Sequence, residues 1–132
     1  MKQSQGGNMG LLTSVKDALS VEKGPQAREQ LDTHQAAQWL QVSAGTIFRD
    51  DEHVVEMFCP AVHDLEPGYY ACMLRIKKDQ VAVVIGKPVT YLDERCLADA
   101  VEVFRAAKQT QVRGLLYVRG EGRKTASVYA RI

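Results

Sequence analysis

The sequence predicts an α+β protein: an N-terminal helical, helix-turn-helix-like part followed by a β-β-α-β-β body with an antiparallel sheet. Three observations carry that expectation. Two short helical patterns meet at Val42-Ser43, with the small residue Ala37 where the helices would cross. The alternating segment Tyr69–Ile76 is followed by the continuously apolar, β-branched run Val81–Ile85. A helical stripe of Leu97, Ala100, Val101, Phe104 and Ala107 then precedes a closing hairpin.

In chain order, residues 1–9 are rich in Gln, Gly and Asn, have little to bury and read as a disordered tail. Leu11, Leu12, Val15, Ala18 and Leu19 recur at helical spacing, and Gly24-Pro25 closes that element. Residues 26–30 are polar and read either as a linker or as the first turns of another helix. Thr33 serves as an N-cap for a helix that turns Ala36, Ala37 and Leu40 inward. Residues 10–58 form the helical region and residues 59–132 the α+β body, with one continuous domain over 10–132 as the other reading.

In the body, Pro60 and Glu66-Pro67-Gly68 punctuate turns. Tyr70, Cys72, Leu74 and Ile76 mark one face of a half-buried strand, and Lys77-Lys78-Asp79-Gln80 is a polar turn. Val81–Ile85 reads as a central strand that Gly86-Lys87-Pro88 ends. Asp93 caps the clearest helix, and Gly114 follows its end. The last segment reads as a hairpin: 114–119, a Gly120-Glu121-Gly122 turn, then 124–132.

Composition bounds the function. With 132 residues, 45% hydrophobic and 25% charged, the chain has the makeup of a domain that buries a core. A formal net charge of +1 gives no global footprint for nucleic acid, so any such contact must be local. The three cysteines, Cys59, Cys72 and Cys96, have unrelated spacings and cannot all pair. No leader opens the chain and no apolar run is long enough to span a bilayer, so a cytoplasmic location and no membrane partner are expected.

The segment 33–49 carries the most specific signal. Ala37 allows two helices to cross closely, Val42 faces inward at the turn, Ser43 caps the second helix, and Ile47 anchors it. Ser43, Ala44, Thr46 and Arg49 then lie near the start of that helix, where phosphates and base edges are reached. The pattern Ala36-Ala37-Gln-Trp-Leu40-Gln-Val42-Ser43-Ala-Gly-Thr46-Ile47-Phe-Arg49 resembles the helix-turn-helix of MerR-like and excisionase-like regulators. The resemblance covers residues 33–49 only and implies a DNA-binding transcription regulator, usually dimeric.

A second reading of the same residues stays open. Gly45–Arg49 and Val54–Phe58 also fit a β-hairpin around the acidic loop 50–53, because Thr, Ile, Phe and Val favour strands. Residues 33–40 would then be a core helix in a single α+β domain. Asp50, Asp51 and Glu52 favour this version, since carboxylates repel DNA phosphates.

Other candidates are weaker. Arg105, Lys108, Arg113, Arg119, Arg123, Lys124 and Arg131, with Tyr117 and Tyr129 nearby, form a basic, aromatic hairpin region that suits nucleic acid or a solvated sheet face. Cys59 and His63, with Glu56 and Asp64, have a spacing a metal could use, but lack a second ligand pair. No local motif supports catalysis by Cys59 or His63. The sequence therefore predicts a homodimeric regulator that contacts duplex DNA through Ser43, Ala44, Thr46, Arg49, Arg123 and Lys124, with no catalytic residue, metal or cofactor. The alternative is a non-enzymatic protein-interaction module, a chaperone, adaptor or inhibitor, with no DNA binding.

Overall fold

The computed structural model describes residues 25, 27–43, 52–62, 64–120 and 125–132. The expected tail 1–9, the helix over 11–19, residues 44–51, His63 and most of the 120–122 turn lie outside these residues.

The described elements are β1 (Gln30–Leu31), α1 (Thr33–Leu40), β2 (Val54–Cys59), β3 (Gly68–Lys77), β4 (Gln80–Ile85), β5 (Lys87–Tyr91), α2 (Leu97–Ala107), β6 (Gln111–Arg119) and β7 (Thr125–Arg131). The strands form one seven-stranded antiparallel sheet ordered β2-β7-β6-β3-β4-β5, with β1 paired to β3. The sheet curls into a half-barrel.

This corrects the expected fold class. The helical part was to reach residue 58, but Val54–Cys59 is extended and pairs in full register with β7, from Val54 opposite Arg131 to Cys59 opposite Ala126. The reason lies in the side chains. Val55, Met57 and Cys59 alternate with Val54, Glu56 and Phe58, and the first set joins the main core. The body also gains a strand. Gly86-Lys87-Pro88 is expected to end a strand, but Lys87–Tyr91 is itself a strand that pairs with β4 through a register shift at Val83/Val84. Proline is tolerated there because β5 is an edge strand.

The two helices cover opposite faces of the sheet. On one face Ala100, Val103 and Phe104 of α2 join Leu74, Val83, Leu116 and Val128 in the largest core cluster. On the other, Ala36, Ala37 and Leu40 of α1 share a cluster with Val54, Leu115 and Tyr129. Withdrawing a leucine such as Leu40 from water contributes on the order of 2 kcal/mol.

The N-cap of α1 is Asp32 rather than Thr33. Its carboxylate accepts from the Gln35 backbone N–H at 2.8 Å, and the Gln35 side chain accepts from the Asp32 N–H at 2.9 Å, a reciprocal capping box. The helix ends at Gln41, whose φ of 64° is left-handed, and the Val42 N–H donates to Ala37 O at 3.0 Å. A short 3-10 turn, Glu94–Cys96, leads into α2, and Asp93 caps that turn by accepting from the Arg95 N–H at 2.9 Å. The helix stops at Lys108, also left-handed, well before Gly114. Gly114 sits inside β6, where a Cβ would lie 3.1 Å from Cys72 Sγ, Leu74 Cγ and Val128 Cγ1.

Candidate functional site

Ser43 is exposed just beyond α1. Ala44, Thr46, Arg49, Arg123 and Lys124 lie outside the described residues. Ala37, expected at the crossing of two helices, is 1% exposed and belongs to the cluster that seats α1 on the sheet. Val42 is half-buried in the same cluster.

Among the described residues, the hairpin cations Arg113, Arg119 and Arg131 are engaged within the protein. Arg113 lies 4.4 Å over the Trp39 ring and donates to Trp39 O at 3.2 Å. Arg131 donates to Gln41 O at 3.0 Å. Both guanidiniums thus meet the C-terminal carbonyls of α1, where positive charge is favoured. Arg119 donates to Glu56 Oε2 through both terminal nitrogens at 3.4 Å and lies 5.3 Å over Tyr117. Tyr69 stacks on that same Tyr117 ring at 4.5 Å and 20°. A ring holding a stacked tyrosine and a guanidinium presents little face to a nucleobase. Burial pushes the Tyr129 hydroxyl pKa up, and the neighbouring Glu56 carboxylate adds to the rise.

Cys59, Cys72 and Cys96 are buried free thiols. Burial pushes the Cys59 thiol up to about 12, with Cys96 adding to it, and raises Cys72 as well. Neither Cys59 nor Cys72 supplies a thiolate near neutral pH, the form that attacks or binds metal. Among the described residues no group of three His, Cys, Asp or Glu side chains is placed to hold a metal ion.

Among the described residues there is a seam where the two edges of the curled sheet approach each other. The Asp93 N–H donates to Phe58 O at 2.8 Å, and the Phe58 N–H donates to Cys96 Sγ at 3.3 Å. Thr90 Oγ1 reaches Pro60 O at 3.4 Å. These bonds join the end of β2 to the chain leaving β5. They leave a groove of about 510 Å3 lined by Phe58, Pro60, Ala61, Tyr91, Leu92 and Thr125, among others. Phe58 is 51% exposed and Tyr91 38% exposed. At the rim, Asp93 grips Arg95 through Nε at 3.1 Å and Nη2 at 2.8 Å. The Arg95 hydrogen bonds hold the Asp93 carboxyl down at about 2, so the rim carries an exposed ion pair.

Beyond Phe58 the outer edge of β2 pairs with no strand among the described residues. In an antiparallel ladder, successive residues point their backbone groups alternately toward and away from the partner strand. Phe58 points away from β7, as its bonds to Asp93 and Cys96 show, and so do Glu56 and Val54. At the other end Ile132, 51% exposed, donates its N–H to His53 O at 2.8 Å. Among the described residues the exposed large apolar side chains are thus Phe58 and Tyr91 at the groove and Ile132 beside the start of β2.

The sequence reading missed Phe58 and Tyr91. A signal for Phe58 existed: period-2 alternation over 54–59 puts it on the face of Glu56, opposite Met57 and Cys59. For Tyr91 there was none, since Lys87-Pro88 hid the strand. No family model, curated protein or solved structure matches this chain.

Proposed function

We propose that this protein is a non-enzymatic interaction module that captures an extended segment of a partner protein at the seam groove and the adjoining edge of β2. The observation that carries this reading is the exposure of Phe58 and Tyr91 on a groove beside β2, whose outer edge pairs with no strand among the described residues. Aromatic side chains anchor protein interfaces because they bury a large area at small entropic cost. A free strand edge supplies main-chain hydrogen bonds to an incoming strand, while side-chain pockets supply selectivity. The raised Cys59 and Cys72 thiols favour this reading over nucleophilic catalysis. The internal engagement of Arg113, Arg119 and Arg131 favours it over a nucleic-acid surface.

The test is selection of displayed random dodecapeptides on the whole protein, followed by titration of the enriched sequences. The expected result is micromolar binding that Phe58→Glu and Tyr91→Lys each weaken at least tenfold. Both positions are exposed, so folding should survive, which circular dichroism checks. Enriched peptides that bind both variants as well as wild type would contradict the proposal.

A further inference from the structure

Resting on that reading, we infer that the partner segment adds to β2 as an antiparallel strand, its leading apolar side chains in the Phe58–Tyr91 groove and basic side chains following beside Glu52. The two edges of the sheet are treated differently. Strand β5 carries Lys87, Pro88 and a register shift, devices that blunt an edge against added strands. Strand β2, Val-Val-Glu-Met-Phe-Cys, has no lysine, proline or register shift, and its one charged residue, Glu56, is matched by Arg119.

The open stretch of β2 is bounded. At Phe58 both backbone groups are already taken by Asp93 and Cys96, so a strand pairing with Val54 and Glu56 must leave the edge there. Its next residues then meet the groove. Direction follows from the sheet, in which every pairing is antiparallel, the slightly more stable arrangement. An antiparallel segment has its N-terminal end at Phe58 and its C-terminal end at Glu52.

Charge sets the order of side chains. Glu56 is matched by Arg119, so it adds little net charge to the edge. Glu52 has its side chain 86% exposed, 3.4 Å from the exposed imidazole of His53 and with no Arg or Lys side chain paired to it among the described residues. The start of the strand is therefore the acidic end and the groove the apolar end. From Glu52 to Phe58 the strand spans about 20 Å, so six to eight residues suffice.

The experiment compares two synthetic octapeptides on the whole protein by calorimetry: Leu-Phe-Val-Thr-Val-Thr-Lys-Arg and the same residues in reverse order. The first is expected to bind at least tenfold tighter. Its affinity should fall several-fold in Glu52→Lys at low salt, and that loss should shrink at high salt. The Val54 and Glu56 amides should become protected from hydrogen exchange on binding. Equal affinity for the two orders, preference for the reverse, or indifference to Glu52→Lys overturns the antiparallel, base-last assignment while binding sensitive to Phe58→Glu keeps the groove. Binding of neither peptide, or binding unaffected by Phe58→Glu, overturns both.

Discussion

The backbone N–H of Asp93 donates to the carbonyl oxygen of Phe58 at 2.8 Å, tying together two chain segments that leave opposite edges of the sheet. This bond ties the two edges of the half-barrel at one end, and beyond it the outer edge of β2 pairs with no strand among the described residues. The groove, the exposed Phe58 ring and the free edge all follow from where that closure stops.

The clamp at the groove rim gives a pH prediction. The folded Asp93 carboxyl, held at about 2 by hydrogen bonds from Arg95, lies below its ordinary value of 3.8. A depressed carboxyl contributes stability that is complete above its unfolded pKa and is lost as pH falls through the folded one. The window is therefore roughly pH 4 down to 2. Carbon-detected titration of the Asp93 carboxyl should show a midpoint near 2. Arg95→Ala should move that midpoint up toward the ordinary range, and an unchanged midpoint would remove Arg95 as the cause.

A methyl group at Gly114 would press on its buried neighbours. Its missing Cβ would stand 3.1 Å from Cys72, Leu74 and Val128, all buried, and its carbonyl accepts from Trp39 Nε1 at 2.7 Å. Gly114→Ala should cost about 1–3 kcal/mol by overpacking. Urea unfolding followed by Trp39 fluorescence measures it, and a neutral result would mean that the neighbours yield freely.

Ser127 is fully buried, and its hydroxyl has no hydrogen-bond partner among the described residues. It sits opposite Tyr117 on one side and Phe58 on the other. An unpaired buried hydroxyl is destabilising, so Ser127→Ala should leave stability unchanged or raise it by up to about 2 kcal/mol. A clear loss in thermal unfolding would reveal a bond that this hydroxyl makes.

Duplex DNA offers a contrast. If the module reading holds, a fluorescent random-sequence duplex should not bind at moderate salt, and Arg49→Ala should change nothing. Affinity that falls steeply with salt and disappears in Arg49→Ala would restore the groove-reading helix implied by residues 33–49.

Much of the sheet was legible because its strands are locally patterned. The alternation over 69–76 and the apolar run 81–85 fall within β3 and β4, and the stripe over 97–107 coincides with α2. What escaped depends on distant partners. Val54–Cys59 has strand-forming residues, but only pairing with β7, with partners from Val54–Arg131 to Cys59–Ala126 far apart in the chain, makes it part of the main sheet. The Ala37 pattern suits a helix–helix crossing, but a small residue serves equally well against a sheet, here beside Leu115 and Tyr129. Gly114 resembled a helix stop because a glycine excluded by packing looks, in sequence, like one selected for a turn. The seam was invisible for the same reason: nothing local tells Phe58 that Asp93 will lie beside it.

The most direct measurement is a map of backbone amide shifts as a selected peptide is titrated into the isotopically labelled protein. The account predicts changes concentrated at residues 54–61, 91–95 and 125–126, with the Val54 and Glu56 amides shifting strongly. Changes centred instead on Ser43 and the residues that follow it, with 54–61 and 91–95 undisturbed, would contradict it.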